Sequence, residues 1–388
     1  MSNHFLFAQI IKQFLPDVRQ HQSLSPQQAS TCQNILNCHT SKLGGLDYMC
    51  DQCHQHYPQY HSCRHRHCPQ CQQKASVKWV EKRMADTLPI TYYHLVFTLP
   101  HELNAWAQLH PDVIYHLLFT CAWNTLNDYS RNNKQLQGQL GMVCVLHSWG
   151  QNLKQHIHLH CLIPGGAMRD DGHFITTKRQ YLYPNKALAK IYRGKMVSAL
   201  RCAWNNGKLK RIKQPGEVNE VLDTLMRKDW VINTKPHINK TETVIRYLGR
   251  YTYRTAISLS RIQSVDNTHV KFRWLDYRDE QQKTMTLPGG EFLQRFLLHI
   301  LPKGFMRIRH YGYLANRVRV KQLKKIRDSL SHNTGEAFKK NQTSHVVYET
   351  RLTQDKPEPC PKCKKGILHL VGEIFSEKER LRNYVLTV

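Results

Sequence analysis

Three groups of side chains in the 388-residue sequence have the types and spacing for chemistry. The first lies in YMCDQCHQHYPQYHSCRHRHCPQCQQK, where Cys50 and Cys53 form one C-x2-C pair and Cys68 and Cys71 another after 14 intervening residues. Each such turn aims two sulfurs at one point, and Zn²⁺ takes four ligands at tetrahedral corners, so Cys50, Cys53, Cys68 and Cys71 are expected to form a closed structural zinc site. Cys38 and Cys63 are the best extra thiols for a second metal. The segment is polar and poor in aliphatic residues, which argues against cysteines that merely fill a core. A further pair, Cys360 and Cys363 in EPCPKCKKGIL, is half a site, either completed by distant ligands or left as an unoccupied remnant. Cys121, Cys144, Cys161 and Cys202 stand alone among apolar neighbours and read as core residues.

The second group is the run QHIHLHCLIPGG, in which His156, His158 and His160 alternate with Ile157, Leu159 and Cys161. On a strand, alternate side chains share a face, so the imidazoles project one way and the apolar groups pack the other. Such imidazoles can hold a divalent metal in an open site, where it polarises a phosphoryl oxygen. The bland alternative is a half-exposed polar face, since the chain has 24 histidines.

The third group is NKTETVIRYLGRYTYRTAIS, where Tyr247 and Tyr251 are four residues apart and share one helix face, beside a stripe of Arg246, Arg250 and Arg254. Guanidinium groups beside a phenol suit phosphate binding. Taken alone, this is ordinary amphipathic packing with a solvated arginine face. Paired with a metal-binding strand, it becomes a device for tyrosine attack on a phosphodiester, which keeps the bond energy in a covalent phosphotyrosine.

The elements that must position these groups emerge from the patterning. MSNHFLFAQIIKQFLP reads as a short amphipathic helix rather than a signal segment, and SVKWVEKRMADTL as a helix linking the cysteine-rich module to the rest of the chain. TYYHLVFTLP is a strand, HELNAWAQLHPDVIYHLLFTCAWNTLNDYS a helix broken at Pro111, and the glycine-bounded runs around GMVCVLHSWG and QHIHLHCLIPGG two adjacent strands. Residues 185 to 229 look helical, and THVKFRWLDYR with QQKTMTLPGGEFLQRFLLHILP looks like two strands leading into a helix. This is an α+β pattern. Residues 328 to 357 are polar and read as a loosely ordered linker. No apolar run approaches the roughly 18 residues needed to span a bilayer, and so many cysteines outside disulfides suit a cytoplasmic protein.

Charge supplies the partner class. With 56 Lys+Arg against 28 Asp+Glu the formal charge is +28, which points to a polyanion. Between Pro302 and Arg327 there are nine Lys or Arg and no acidic residue. Lys303, Arg307, Arg309, Arg317 and Arg319 are read as tracking phosphates, with Phe305, Tyr311 and Tyr313 stacking on bases. Arg64, Arg66 and the neighbouring histidines either touch DNA as well or are simply solvated.

Together HSCRHRHCPQCQ, the HLH at His158 to His160 followed by PGG, YLGRYTYRTAIS and LPKGFMRIRHYGYLANR closely resemble the rolling-circle transposases of the insertion sequence 91 family. The resemblance spans nearly the whole chain. It implies an HUH nuclease (His, hydrophobic, His), with an antiparallel central sheet and flanking helices, preceded by a small zinc-binding module. Implied too is nicking and rejoining of single-stranded DNA at element ends and in the target, through a 5′-phosphotyrosine. On this resemblance His158 and His160 hold Mg²⁺ or Mn²⁺, Tyr247 and Tyr251 are the nucleophiles, and the third ligand comes from His147, Gln151 or His156. Such a bacterial protein would meet the nucleoid when bound to DNA. Two positions depart from the family pattern: Leu46 and Tyr253 stand where histidines are common. The expected organisation is a helix and zinc module over 1–75, a linker helix over 76–90, the nuclease over 91–270, a basic DNA-binding extension over 271–330, and a polar linker with the last knuckle over 331–388. A zinc-dependent DNA-binding regulator without catalysis is the rival from another class. A phosphodiesterase acting with water is a third reading.

Overall fold

The computed structural model describes residues 6–72, 86–177, 183–212, 215–238, 255–334 and 359–380, with Thr243 and Gly249. In chain order, β1 (Gly45–Cys50) and β2 (His56–Tyr60) come after two N-terminal helices. Next are β3 (Tyr92–Thr98), β4 (Gly141–Trp149), β5 (Gln155–Pro164), the short hairpin β6 (Gly166–Met168) and β7 (Phe174–Thr176), and β8 (Ile232–Ile238). The remaining strands are β9 (Ile262–Val265), β10 (His269–Asp276), β11 (Gln281–Pro288), β12 (Ile308–Gly312) and β13 (Leu368–Ile374).

The central sheet has five strands in the order β12-β4-β5-β3-β8, every pair antiparallel. One face carries Ile157, Leu159, Cys161 and Ile163 of β5 with Leu95 and Phe97 of β3. These pack on the helices Pro111–Asn132, Asn185–Asn205 and Pro215–Arg227 in the largest core cluster. The alternation of β5 therefore divides as the sequence requires, aliphatics towards helices and histidines away. β4 is buried along its whole length, as befits a strand flanked on both edges and covered on both faces.

A second core joins the helix Leu6–His21, the sheet β11-β10-β9 and the helix Gly289–Leu297. Phe7 meets Phe296 edge-on at 4.7 Å between ring centroids, and a Cβ at Gly289 would stand 2.2 Å from the Phe14 ring, so only glycine permits this approach. The next helix, Pro26–Leu36, opens on a capping box between Ser25 and Gln28.

Several expected boundaries move. The break expected between residues 270 and 271 falls inside β10, and β12, from the supposed extension, is an edge strand of the central sheet. The helical stretch 185–229 is two helices separated by a turn in which Gly207 takes a φ of +65°. Residue 331 lies within the helix Arg319–Thr334, and β13 pairs with β1, so the last knuckle belongs with the N-terminal module. Most of the 76–90 linker lies outside the described residues. Among the described residues no helix is long and apolar enough to cross a membrane.

Candidate functional site

The histidine face is built by two neighbouring strands. β4 and β5 align His147 opposite His158 and Val145 opposite His160. Because alternate residues share a face, His147, His158 and His160 converge, and one ligand nitrogen from each lies within 4.8 Å of the others. Their ring centroids stand 4.7 to 5.4 Å apart. His158 Nδ1 lies 2.8 Å from the His156 carbonyl oxygen. A carbonyl only accepts, so Nδ1 carries the proton and Nε2 keeps its lone pair for a metal. Burial, then the neighbouring His156, hold the His158 imidazole neutral, pushing its pKa down to about 4.

His160 Nδ1 is 3.0 Å from Nε2 of His94, a buried histidine of β3 whose ring stacks on that of His160. With the proton on His160 Nδ1, His94 accepts the hydrogen bond and Nε2 is the His160 nitrogen suited to ligate an ion. On the other flank His147 stacks on Trp149, with ring centroids 4.6 Å apart. Three converging imidazoles, two of them with a hydrogen bond on the far ring nitrogen, are a donor set that fits a divalent ion and leaves its remaining positions open. Of the candidates for third ligand, His147 joins the pair. Gln151 instead donates to the Tyr277 hydroxyl at 3.2 Å, and His156 stands at the exposed end of the strand. His94 went unnoticed in the sequence because a lone histidine in TYYHLVFTLP carries no spacing signal.

Tyr247, Tyr251, Arg246, Arg250 and Arg254 lie outside the described residues. The chain is described again from Thr255. Ala256 and Ile257 share a core with Trp149 and Leu153 at the β4–β5 turn, and the Arg261 guanidinium donates to the Gln151 carbonyl in that turn.

The cysteines correct the expected ligand set. Cys50, Cys53, Cys68 and Cys71 do not converge; they divide between two four-thiol groups. Cys68 and Cys71 join Cys38 and Cys63, with sulfurs 3.5 Å apart for Cys38–Cys71, 3.6 Å for Cys63–Cys71 and 3.9 Å for Cys38–Cys68. Four sulfurs around one Zn²⁺ stand about 3.8 Å apart, so this group has the dimensions of a tetrahedral zinc site. The reason for the division is topological. Cys50 ends β1, which pairs with β13 and so meets Cys360 and Cys363, whereas Cys68 and Cys71 pack beside Cys38, just after the helix Pro26–Leu36.

The supposed DNA-contacting residues divide as well. Arg307 is buried and donates to the Gln72 amide oxygen at 3.2 Å, Phe305 and Tyr313 are core residues, and Tyr311 stacks on Trp123. Arg307, Phe305 and Tyr313 are thus turned into the fold, and Tyr311 is partly covered. Arg309 lies over the Phe119 ring, 4.2 Å from its centroid, and Arg319 pairs with Asp86 at 3.3 Å. Arg66 also turns inward, donating to the carbonyls of Leu301, Pro302 and Phe305, while His67 Nε2 accepts the Leu301 N–H at 3.2 Å. Arg66 and His67 thus dock the cysteine module onto the loop that leads into β12. Lys303 and Arg317 are exposed, as are Lys321, Lys324 and Lys325 on the outer face of the helix whose inner face buries Leu323, Ile326 and Leu330. The cationic surface exists, but on fewer and partly different residues than expected.

Comparison with known proteins agrees with this architecture. Residues 10–99 match a family described as "Transposase zinc-binding domain", and residues 141–322 one described as "Putative transposase". The chain is 39% identical over 366 residues to "Putative transposase y4qJ" of Sinorhizobium fredii, covering 92% of each. It is 28% identical over 324 residues to "Transposase for insertion sequence element IS801" of Pseudomonas savastanoi pv. phaseolicola, covering 79% of this chain and 75% of that one. With a zinc-binding module, an antiparallel sheet bearing clustered histidines and relatives along nearly its whole length, the chain belongs to the insertion sequence 91 family of transposases.

Proposed function

We propose that this transposase nicks and rejoins single-stranded DNA at the ends of its element, in rolling-circle fashion, by tyrosine attack at a site where His147, His158 and His160 hold a divalent ion. The observation that carries the reading is the convergence of these three imidazoles, with His158 fixed in the ligating tautomer by the His156 carbonyl. His147 is the third ligand. When bound, Mg²⁺ or Mn²⁺ would polarise a non-bridging phosphate oxygen and lower the cost of charge build-up at phosphorus.

The nucleophile is the hydroxyl of Tyr247 or Tyr251. The ordinary phenol pKa of about 10 keeps it protonated at neutral pH, so attack must be accompanied by loss of that proton. The phenolic oxygen forms a bond to phosphorus, the bond from phosphorus to the 3′ oxygen breaks, and the departing 3′ oxygen takes up a proton. A 5′-phosphotyrosine and a free 3′-hydroxyl result, and attack by a 3′-hydroxyl on the phosphotyrosine reverses the sequence to seal a strand. Two tyrosines allow two such attacks in succession. The reading is supported by the residues that follow the tyrosine segment, since Ala256 and Ile257 pack with Trp149 and Leu153 at the turn of the hairpin that carries the histidines. Arg246, Arg250 and Arg254 would bind the flanking phosphates, and Lys303, Arg317 and the lysines of the last long helix would hold the strand by charge.

The test is incubation of the protein with labelled single-stranded DNA from an element end and Mg²⁺ or Mn²⁺, resolved on a denaturing gel. A protein-linked fragment that disappears when Tyr247→Phe is combined with Tyr251→Phe is the expected result. Free fragments that persist in the double variant would show hydrolysis by water instead. No cleavage alongside tight, zinc-dependent DNA binding would favour the regulator.

A further inference from the structure

We propose that Cys50, Cys53, Cys360 and Cys363 form a second zinc site, separate from the one at Cys38, Cys63, Cys68 and Cys71, and that this metal clasps the C-terminal segment onto the N-terminal module. The four thiols form one group although more than 300 residues separate the two pairs. Cys50 Sγ is 3.7 Å from Cys363 Sγ, and Cys53 Sγ is 3.6 Å from Cys360 Sγ. These spacings match the roughly 3.8 Å edge of a tetrahedron of sulfurs around zinc, and are far longer than the roughly 2.05 Å of a disulfide.

The backbone is shaped for the same purpose. The N–H groups of Gln52 and Cys53 donate to Cys50 Sγ at 3.4 and 3.5 Å, and the N–H of Gly366 donates to Cys363 Sγ at 3.4 Å. Such bonds stabilise thiolates, the form that binds metal. Both turns close alike, with the His54 N–H on the Cys50 carbonyl at 3.0 Å and the Lys364 N–H on the Cys360 carbonyl at 2.9 Å. His54 and Lys364 each take the left-handed conformation, at φ +53° and +57°. Two non-glycine residues held there, one after each C-x2-C, show that the halves are built on one plan. Gly366 is required, since a Cβ there would come within 2.4 Å of Cys50 Sγ.

What makes the metal necessary is how little else anchors the segment. Among residues 359–380 only Cys360 and Gly366 are buried, and both lie at the thiol group. The side chains of β13 include Leu370 and Val371, 57% and 47% exposed, and only Leu368 and Ile374 at its ends are partly covered, so the strand contributes little apolar burial. Without zinc there remain the ladder to β1, the Asp51 bonds to Ile367, a Lys362 bond to the Gln55 side chain, and the exposed pairs His369–Asp51 and Lys42–Glu377. An exposed edge strand so held is marginal, whereas in small modules of this kind the binding of structural zinc supplies much of the folding free energy.

Metal analysis of the full chain by mass spectrometry should find about two zinc ions per molecule, and about one after Cys360→Ser with Cys363→Ser. One zinc in the parent chain, an unchanged content in the variant, or iron in place of zinc would overturn the assignment. A measurement that leaves every ligand in place uses a protease site engineered into residues 340–350 of the full chain. After cleavage the C-terminal fragment should co-elute with the rest on gel filtration and separate once a chelator has removed the zinc. A fragment that separates with zinc bound, or stays after both ions are gone, would show that the metal is not the clasp.

Discussion

The histidine face and the cysteine groups are both sets of metal-type ligands, yet they are assembled in opposite ways. His147, His158 and His160 come from one hairpin, and their convergence results from strand alternation plus a register that sets His147 opposite His158. The thiols come as pairs or singles from four or more segments, and the partner of each pair is chosen by what packs beside it. A C-x2-C turn is a half-site with the same geometry wherever it occurs. Its spacing to the next such turn says little about pairing when other thiols lie within reach of the fold. An alternating strand, by contrast, commits its side chains to one face as soon as it enters a sheet.

That contrast can be broken or sharpened by experiment. The largest effect should come from Cys63→Ser with Cys68→Ser, which removes two thiols from the first group. Loss of its zinc, worth on the order of 10 kcal/mol, should unfold the N-terminal module, read as lost metal and a much lower melting temperature. The Cys50 group would be expected to lose its support as well, because β1 lies in the same module. If zinc content and melting were unchanged, the division of the cysteines into two groups would be wrong.

His158→Ala tests the other side of the comparison. It should lower strand nicking by roughly 100-fold or more, since a charge-stabilising element is lost, while zinc content and melting temperature stay near those of the parent. A matching fall in zinc content would mean that the two kinds of site are not independent. A smaller effect is expected from His94→Phe, which removes the partner of His160 Nδ1. As a positioning residue, His94 should raise the concentration of Mn²⁺ needed for half-maximal nicking by roughly tenfold when it is replaced, with the rate at saturating metal nearly kept. Loss of rate that no amount of metal restores would argue for a merely structural role.

The smallest effect is in pH. His299 is buried, with Nδ1 3.2 Å from the Ser148 hydroxyl oxygen and Nε2 3.0 Å from the Leu153 carbonyl oxygen. Burial pushes its pKa down to about 4, below the ordinary value near 6.5. The unfolded chain therefore binds the proton more readily, so the contribution of His299 to stability is complete above about pH 6.5 and is lost as the pH falls towards 4. Between pH 7 and 6 the loss should be under about 1 kcal/mol, read as a lower urea midpoint, and His299→Gln should flatten that slope.

Much of the fold could be read from the chain. The break at Pro111, the paired strands β4 and β5, and the two strands leading into the helix Gly289–Leu297 all stand as their patterns require. The patterns are local, and hydrophobic periodicity reports them directly. Less legible was the basic stretch from Pro302 to Arg327. It reads as one DNA-binding surface, but Arg307 and Tyr313 are buried, and Phe305 packs against Tyr115 in the main core. Charge and aromatic content cannot tell a cation that snorkels over rings, as Arg309 does over Phe119, from one that meets phosphate.

By itself the sequence determined the class of the molecule: a cationic α+β protein with thiol knuckles, a strand with three imidazoles on one face, and the family these motifs mark. Those are properties of residue type and short spacing, which the chain carries whether or not it is folded. Tertiary structure alone decided which cysteines converge into one group, which histidine of β4 joins the pair on β5, and that His94 buttresses His160. It also brought the last knuckle, through the pairing of β13 with β1, to the thiols at Cys50 and Cys53. Each of these is a contact across many residues of chain, and such contacts are selected by the combined burial and hydrogen bonding of whole elements rather than by any spacing along the backbone.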